Sequence, residues 1–188
     1  MIVGIAGKKR AGKDTVASIL QAKDPDQVRC IHLADPIKHA VRSWFGWTSE
    51  HTDGHLKETV DPRWLITPRL AMQLLGTDVA RQLHPDIWVR CALARVAIFG
   101  NRIVLIPDVR FTNEARAIRQ EGGLVLRIYR DRTDRHGDEH PSEMEMDSPE
   151  FASLVTHEIR NNTDELSDLR AKVQTFWREI QCQGTSSI

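Results

Sequence analysis

Cysteine is scarce in this chain, and net charge is missing altogether. Three cysteines, Cys30, Cys91 and Cys182, are spread over 188 residues without a Cys-x-x-Cys pair. That odd and scattered set excludes a disulfide framework and a zinc knuckle, and makes a reducing cytoplasm the expected setting. Lys and Arg number 26 against 26 Asp and Glu, so a general binder of polymeric nucleic acid, which carries a basic excess, is not expected. No apolar run approaches the ~18 residues of a membrane span; residues 103–106 are typical of what is present. At the N-terminus the basic residues follow the apolar stretch, the wrong order for a signal peptide, and no membrane partner is expected. Internal repeats are also lacking. What remains is 40% apolar and 28% charged, ordinary for a globular chain and too apolar for a disordered one.

Along the chain, strand-like and helix-like segments alternate. A short β-branched run at 2–6 ends in a glycine-rich turn, and a helical stretch follows at 13–22. A second strand is predicted at 28–33, with Pro36 placed in the first turn of the next helix. Residues 47–68 carry Gly54, Pro62 and Pro68 and little apolar periodicity, which predicts a loop-rich excursion. Leu70, Leu74 and Leu75 suggest a short helix, and 87–99 a longer one. Strands are then expected at 102–106, 124–129 and 153–159, with a helix at 113–120. The last helix carries Leu166, Leu169, Val173, Phe176, Trp177 and Ile180 on one face, with Asn162 or Thr163 as its cap. Such alternation implies a doubly wound α/β fold around a parallel five-stranded sheet, with helices on both faces. Ligands of these sheets bind beyond the carboxyl ends of the strands.

The sharpest feature lies there. Gly7-Lys8-Lys9-Arg10-Ala11-Gly12-Lys13-Asp14-Thr15 stands between the first strand and the first helix. It follows the Gly-x4-Gly-Lys-Ser/Thr phosphate-loop pattern. Glycines let the backbone curl so that successive N–H groups face phosphate oxygens, the helix N-terminus adds positive charge, and the lysine reaches the β/γ-phosphates. Asp14 departs from the pattern, occupying the place of the hydroxyl that meets Mg²⁺. Either Asp14 holds magnesium through water, or Thr15 supplies the hydroxyl. A strand at 103–106 followed by Pro107 and Asp108 has the layout of a magnesium-binding acidic strand end. Arg110, two residues on, is placed to meet a transferring phosphate.

The loop, with its unusual aspartate, resembles that of the deoxynucleoside monophosphate kinases of bacteriophages, and further blocks agree in order. Ala34-Asp35-Pro36-Ile37-Lys38 looks like that family's segment after the second strand. Pro68, Arg69, Gln73, Gly76, Thr77, Arg81 and Trp88 resemble its "PR…Q…GT…R…W" pattern. Asp108 to Ala115 is similar to its "DVRFPNEA" block, with Thr112 in place of the proline. His140-Pro141-Ser142-Glu143 looks like its "HxSE" loop, and Ile159 to Asn162 resembles its final strand end, near the adenine in related kinases.

The resemblance implies a P-loop NTPase fold, one kinase domain over 1–188, an acceptor-binding excursion at about 44–85 and a mobile lid-like loop at about 130–150. It also implies transfer of the γ-phosphoryl of ATP to a deoxynucleoside 5′-monophosphate with Mg²⁺. Gly7, Lys8, Lys9, Arg10, Ala11, Gly12, Lys13, Asp14 and Thr15 would cradle ATP, together with Arg130 and Asn161. Lys13, Arg10 and Arg110 would stabilise the transferring group, and Asp14, Thr15 and Asp108 would hold the metal. Asp35, Lys38, Arg69, Gln73, Arg81, Trp88, Arg110, His140 and Glu143 would surround the acceptor. Arg127, Arg130, Arg132 and Arg135 form a basic run assigned to the lid. The expected partners are these two small molecules, in a host cytoplasm if the source is a phage, with a homodimer left open. Blander readings stand beside several residues: Asp35 as a helix cap, Trp88 as core. Two alternative functions also stand, another phosphate-monoester kinase such as a phosphomevalonate kinase, and a nucleotide-binding regulator that no longer transfers phosphate.

Overall fold

The architecture was taken from a computed structural model that describes residues 1–131 and 144–184. His140 and Glu143 lie outside the described residues, as do Arg132, Arg135 and most of the lid-like segment. The chain divides into two compact units, one made of residues 1–31 and 94–188, the other of residues 32–93.

In the first unit, β1 (Ile2–Ala6), β2 (Val28–Cys30), β3 (Ile103–Val109), β4 (Leu124–Tyr129) and β5 (His157–Arg160) form one sheet. Its order is β2-β3-β1-β4-β5, and every pairing is parallel. The chain winds outward from β1 to one edge and then crosses to the other side, so the carboxyl end of β1 is the topological switch point. All five residues of β1 are buried, as a central strand covered on both faces requires. Val3 and Ile5 face a core shared with Val16 and Leu20 of α1 (Lys13–Lys23) and with Leu169, Val173, Phe176, Trp177 and Ile180 of the last helix. On the opposite face Ile118 packs directly over Gly4, where a Cβ would lie 2.8 Å from its Cδ1.

Pro107 has no N–H to give the ladder, and the β1–β3 register slips there: Gly4 pairs with Ile106, but Ala6 with Val109. The bulge absorbs the extra residue beside Asp108.

Four expectations are corrected. β2 stops at Cys30 rather than 33, although the Ile31 N–H still donates to the Leu105 carbonyl at 3.0 Å. The fifth strand starts at His157 rather than 153, because Ser148 caps a helix over Pro149–Leu154 by accepting the Phe151 N–H at 3.1 Å. The last helix spans Leu166–Gly184, and the Thr163 hydroxyl donates to the Asp168 carboxylate instead of capping it. Arg127 belongs to no lid: it sits in β4, 4% exposed.

The second unit holds α2 (Asp35–Phe45), α3 (Ser49–Thr52), α4 (Pro68–Gln73), α5 (Ala80–Leu83) and most of α6 (Ile87–Ile98). Between α2 and α4 the chain forms short helical turns and one antiparallel bridge between Asp61 and Ile66. Between α4 and α5 the chain forms a π-helical segment, Leu74–Val79. A small core of Val41, Trp47 and Ala71 is completed by Phe45, Ile66, Met72 and Leu75. The later helices of the first unit are α7 (Thr112–Gln120), α8 (Pro149–Leu154) and α9 (Leu166–Gly184). Among the described residues no helix is long and apolar enough to cross a membrane.

Candidate active site

The loop after β1 curls through backbone conformations that need glycine. Gly7 has φ +152°, and a Cβ there would lie 2.6 Å from the Ile128 carbonyl. Gly12, the residue before α1, has φ +105°, and its Cβ would meet Asn161 Nδ2 at 2.7 Å. Both contacts are closer than any side chain tolerates, and the positive φ strains any L-residue as well. Arg10 shares the left-handed region at φ +65°, so the turn runs through three such residues.

What holds the curl is polar. The Ala11 N–H donates to the Lys8 carbonyl at 3.1 Å, and Asn161 Nδ2 donates to the buried Ala11 carbonyl at 2.9 Å. Asn161 is itself fixed through its backbone N–H, 2.7 Å from the Tyr129 carbonyl. Lys13, only 8% exposed, turns its ammonium back into the curl and donates to the Gly7 and Lys8 carbonyls at 2.6 and 2.9 Å. This is a compact cradle with a positive helix end beneath it.

A cavity of about 410 Å³ opens against the cradle. Arg10, Lys13, Asp14, Thr15, Arg130 and Asn161 line it, and residues 163–166 with Leu169 complete it. Arg130 is ion-paired with Asp164. The cavity therefore offers cations, the oxygens of Asp14 and Thr15, and an apolar patch in one place.

The loop after β3 is shaped by Glu114. Its carboxylate, buried at 3% exposure, accepts the N–H groups of Arg110 and Phe111 at 2.8 and 3.1 Å. That sets the path of the backbone carrying Arg110, while Asp108 lies half-buried in β3. The Thr112 N–H donates to Glu145 Oε1 at 2.8 Å. Lys8 lies beside Asp147, 2.7 Å from Oδ2, and Arg127 donates to Asp147 Oδ1 at 2.9 Å. Burial pushes the Asp147 carboxyl up, but the hydrogen bonds and charges of Lys8 and Arg127 outweigh it and hold it below the usual carboxylate range.

The candidate acceptor residues other than Arg110, His140 and Glu143 all lie in the 32–93 unit. Asp35 heads α2, where its Oδ2 accepts the N–H of His32, ahead of the helix, at 3.0 Å; this fixes the turn into α2 rather than capping it. Lys38 and Arg42 converge on Asp53, each at 2.6 Å. Burial pushes the Asp53 carboxyl up, yet the Lys38 and Thr52 hydrogen bonds and the two cations bring it below its ordinary value. Arg69 pairs with Glu58, and Arg81 donates to the Pro85 carbonyl at 3.1 Å. Gln73 closes α4 at the start of the π segment, which presents Gly76 and Thr77. Trp88 is 9% exposed, and its indole N–H donates to the Gly76 carbonyl at 2.7 Å. Little of its surface is left for a base, and its visible work is to tie α6 to the π segment.

The tryptophans near the excursion differ in environment. Trp47 is buried, stacks on Phe45 at 4.4 Å and donates to Asp61 Oδ2 at 2.7 Å, whereas Trp44 is 64% exposed.

Glu114, Glu145 and Asp147 were not singled out from sequence. An acidic residue in the first turn of a helix after a strand was a readable signal for Glu114. Asp147 is twenty residues from Arg127 in a mixed charge run, and no spacing rule joins the two.

A sequence model of the deoxynucleotide monophosphate kinase family matches residues 1–61 and 56–173. The chain is 34% identical over 189 aligned positions to a protein of Acanthamoeba polyphaga mimivirus provisionally named a deoxynucleotide monophosphate kinase, covering 88% of this chain and 91% of that one. It is 31% identical over 118 positions to the deoxynucleoside-5′-monophosphate kinase of Escherichia phage T5, covering 59% of this chain and 46% of the relative. Among solved structures, shikimate kinase from Acinetobacter baumannii aligns with a TM-score of 0.51 at 13% identity, covering 97% and 93% of the two chains. Dephospho-CoA kinase from Campylobacter jejuni aligns with a TM-score of 0.51 at 17% identity, covering 95% and 96%. Those two likenesses show the fold alone, a parallel α/β sheet with helices. The matches in sequence, spread over the cradle, the Arg110 loop and the 32–93 unit, show that the chain belongs to the deoxynucleotide monophosphate kinase family.

Proposed function

We propose that the protein transfers the γ-phosphoryl of ATP to a deoxynucleoside 5′-monophosphate, giving the diphosphate and ADP. The observation that carries this reading is the cradle at the carboxyl end of β1, with Lys13 folded into it and a cavity beside it, in a chain of this family. A phosphate monoester arrives already ionised, so the acceptor needs no general base. The demand is for charge neutralisation and in-line positioning.

In this reading Lys13 exchanges its two loop carbonyls for β/γ-phosphate oxygens, and the loop N–H groups from Gly7 to Thr15 hold the rest of the chain of phosphates. Arg10 and Arg130 add positive charge from the cavity wall. Arg110, aimed by the Glu114-bound loop, meets the transferring group. Lys38, Arg69 and Arg81 bind the acceptor's own phosphate, where guanidinium forks suit bidentate contacts. Asp35 and Gln73 serve the acceptor by position, and His140 and Glu143 by resemblance.

Magnesium belongs to the same proposal. Among the described residues no group of three or more His, Cys, Asp or Glu side chains gathers as a metal site. Magnesium is a hard cation usually held by one or two protein oxygens along with phosphate oxygens and water. Asp14, Thr15 and Asp108 are the donors of the right chemistry. When bound, the ion would neutralise charge developing on the phosphates. The activity would run in the cytoplasm of an infected cell, a reading supported by relatives from a mimivirus and a phage.

The test is ADP release by the purified protein with Mg-ATP, offering each deoxynucleoside monophosphate, its ribo-counterpart and mevalonate 5-phosphate in turn. Turnover with one or more deoxynucleotides is expected. Turnover with mevalonate phosphate alone, or ATP binding without any transfer, would overturn the assignment.

A further inference from the structure

One short turn outside the assigned site touches both phosphate-handling loops of the sheet unit. Glu145–Asp147 is a single 3₁₀ turn. Asp147 reaches the loop after β1, with Oδ2 2.7 Å from Lys8 Nζ, and Glu145 reaches the loop after β3, accepting the Thr112 N–H at 2.8 Å. The turn is anchored from β4: Arg127, 4% exposed, donates to the Met146 carbonyl and to Asp147. Its guanidinium lies over the Tyr129 ring at 4.4 Å.

Lys8 is more than a surface cation. Its side chain is 11% exposed, and its carbonyl accepts Lys13 Nζ at 2.9 Å. Asp147 thus holds, by the side chain, the residue whose backbone holds the central lysine of the cradle. An isolated surface ion pair contributes little, but this pair is joined to a buried guanidinium, and such networks exceed their separate parts. On the other arm, position 112 departs from the proline of the family pattern. Proline has no N–H, so the threonine is what gives Glu145 its donor.

We propose that the Glu145–Asp147 turn is a clasp that positions the phosphate loop through Lys8 and the Arg110 loop through Thr112. Asp147 and Glu145 are positioning residues: they act through Lys8 and Thr112, and each reduces the freedom its loop would otherwise lose on binding. The proposal rests on residues 7–15 being the ATP loop.

The test uses the full chain, with Asp147→Asn, Lys8→Met and their combination, titrated with Mg-ATP by calorimetry and then assayed with a deoxynucleotide acceptor. Asp147→Asn is expected to weaken Mg-ATP about tenfold while the acceptor KM stays within about twofold, and to add nothing in the Lys8→Met background. Effects that multiply, or an ATP affinity that stays constant or tightens, would overturn the Asp147 arm. Because Asp147→Asn leaves Arg127 buried without its counter-charge, it can unfold the protein. Asp147→Glu keeps a counter-charge for Arg127 while displacing the carboxylate from Lys8, and must then weaken Mg-ATP on its own; an unchanged affinity would overturn this arm. For the second arm, Thr112→Pro keeps a residue suited to the start of a helix but deletes the N–H. It and Glu145→Ala should each lower kcat about fivefold, and the double variant no further. A kcat that does not move, or losses that multiply, would overturn that arm. If the wild-type chain binds Mg-ATP but phosphorylates no deoxynucleotide, the functional reading fails while the ATP affinities still decide the Asp147 arm.

Discussion

Asn161 shows how much rests on single side chains. It closes the glycine-rich loop after β1 from just beyond β5, 150 residues away, by donating to the Ala11 carbonyl. Asn161→Ala removes the donor from a carbonyl in a buried turn, at a cost of about 1–3 kcal/mol. Denaturant unfolding should show that loss, and ATP affinity should fall with it, since the carbonyl anchors the cradle. Asp61 is the other residue with a strong local effect. The Arg63 guanidinium, outweighing burial, together with the Trp47 indole and the Arg63 N–H, holds its carboxyl well below the usual range. Asp53 and Asp147 are lowered as well. A carboxyl depressed in the folded state contributes stability that is present above its unfolded value, and that is lost as pH falls through the folded one. Stability should therefore be flat with respect to these groups at neutral pH and drop below about pH 4. Thermal unfolding against pH checks this, and Asp61→Asn should make the acid limb shallower.

Among the elements, the segment from α4 through α5 is the least regular. Gly76, at its middle, packs against Ile37, where a Cβ would come within 2.7 Å of Cδ1. Its carbonyl takes the Trp88 indole N–H. A π turn is rare and tends to mark a functional position, and here it carries Gly76 and Thr77 of the acceptor pattern. Trp88→Phe keeps most of the apolar bulk but deletes the donor. It should destabilise the chain by about 1 kcal/mol and raise the acceptor KM while the ATP KM holds. An equal rise in both would show that α6 does not act through the π segment. A leucine pattern at 70, 74 and 75 predicted a helix here, but hydrophobic periodicity cannot distinguish an α turn from a π turn. The same limit applies to the fifth strand, expected at 153 and found at His157. There the cap at Ser148 and the proline after it start a helix over Pro149–Leu154, which takes up residues expected for the strand.

At the scale of the whole molecule, the proposed donor and acceptor residues segregate along the chain. Those for ATP belong to residues 1–31 and 94–188, and most of those for the acceptor to residues 32–93. Arg69→Ala should accordingly raise the acceptor KM at least tenfold and leave Mg-ATP affinity within about twofold; equal effects on both substrates would remove Arg69 from the acceptor set. The alternation of strands and helices, the glycines at 7 and 12, the lysine at 13 and the acidic residue ending β3 were all legible in the sequence. Each is a local feature: periodicity, a backbone angle only glycine adopts, a residue at a fixed offset from a strand. The strand order, the bulge at Pro107, the burial of Arg127 and its pairing with Asp147 were decided only in three dimensions. They depend on which segments meet across the sheet, and burial of a charge in β4 becomes tolerable only when a turn far along the chain brings a carboxylate to it.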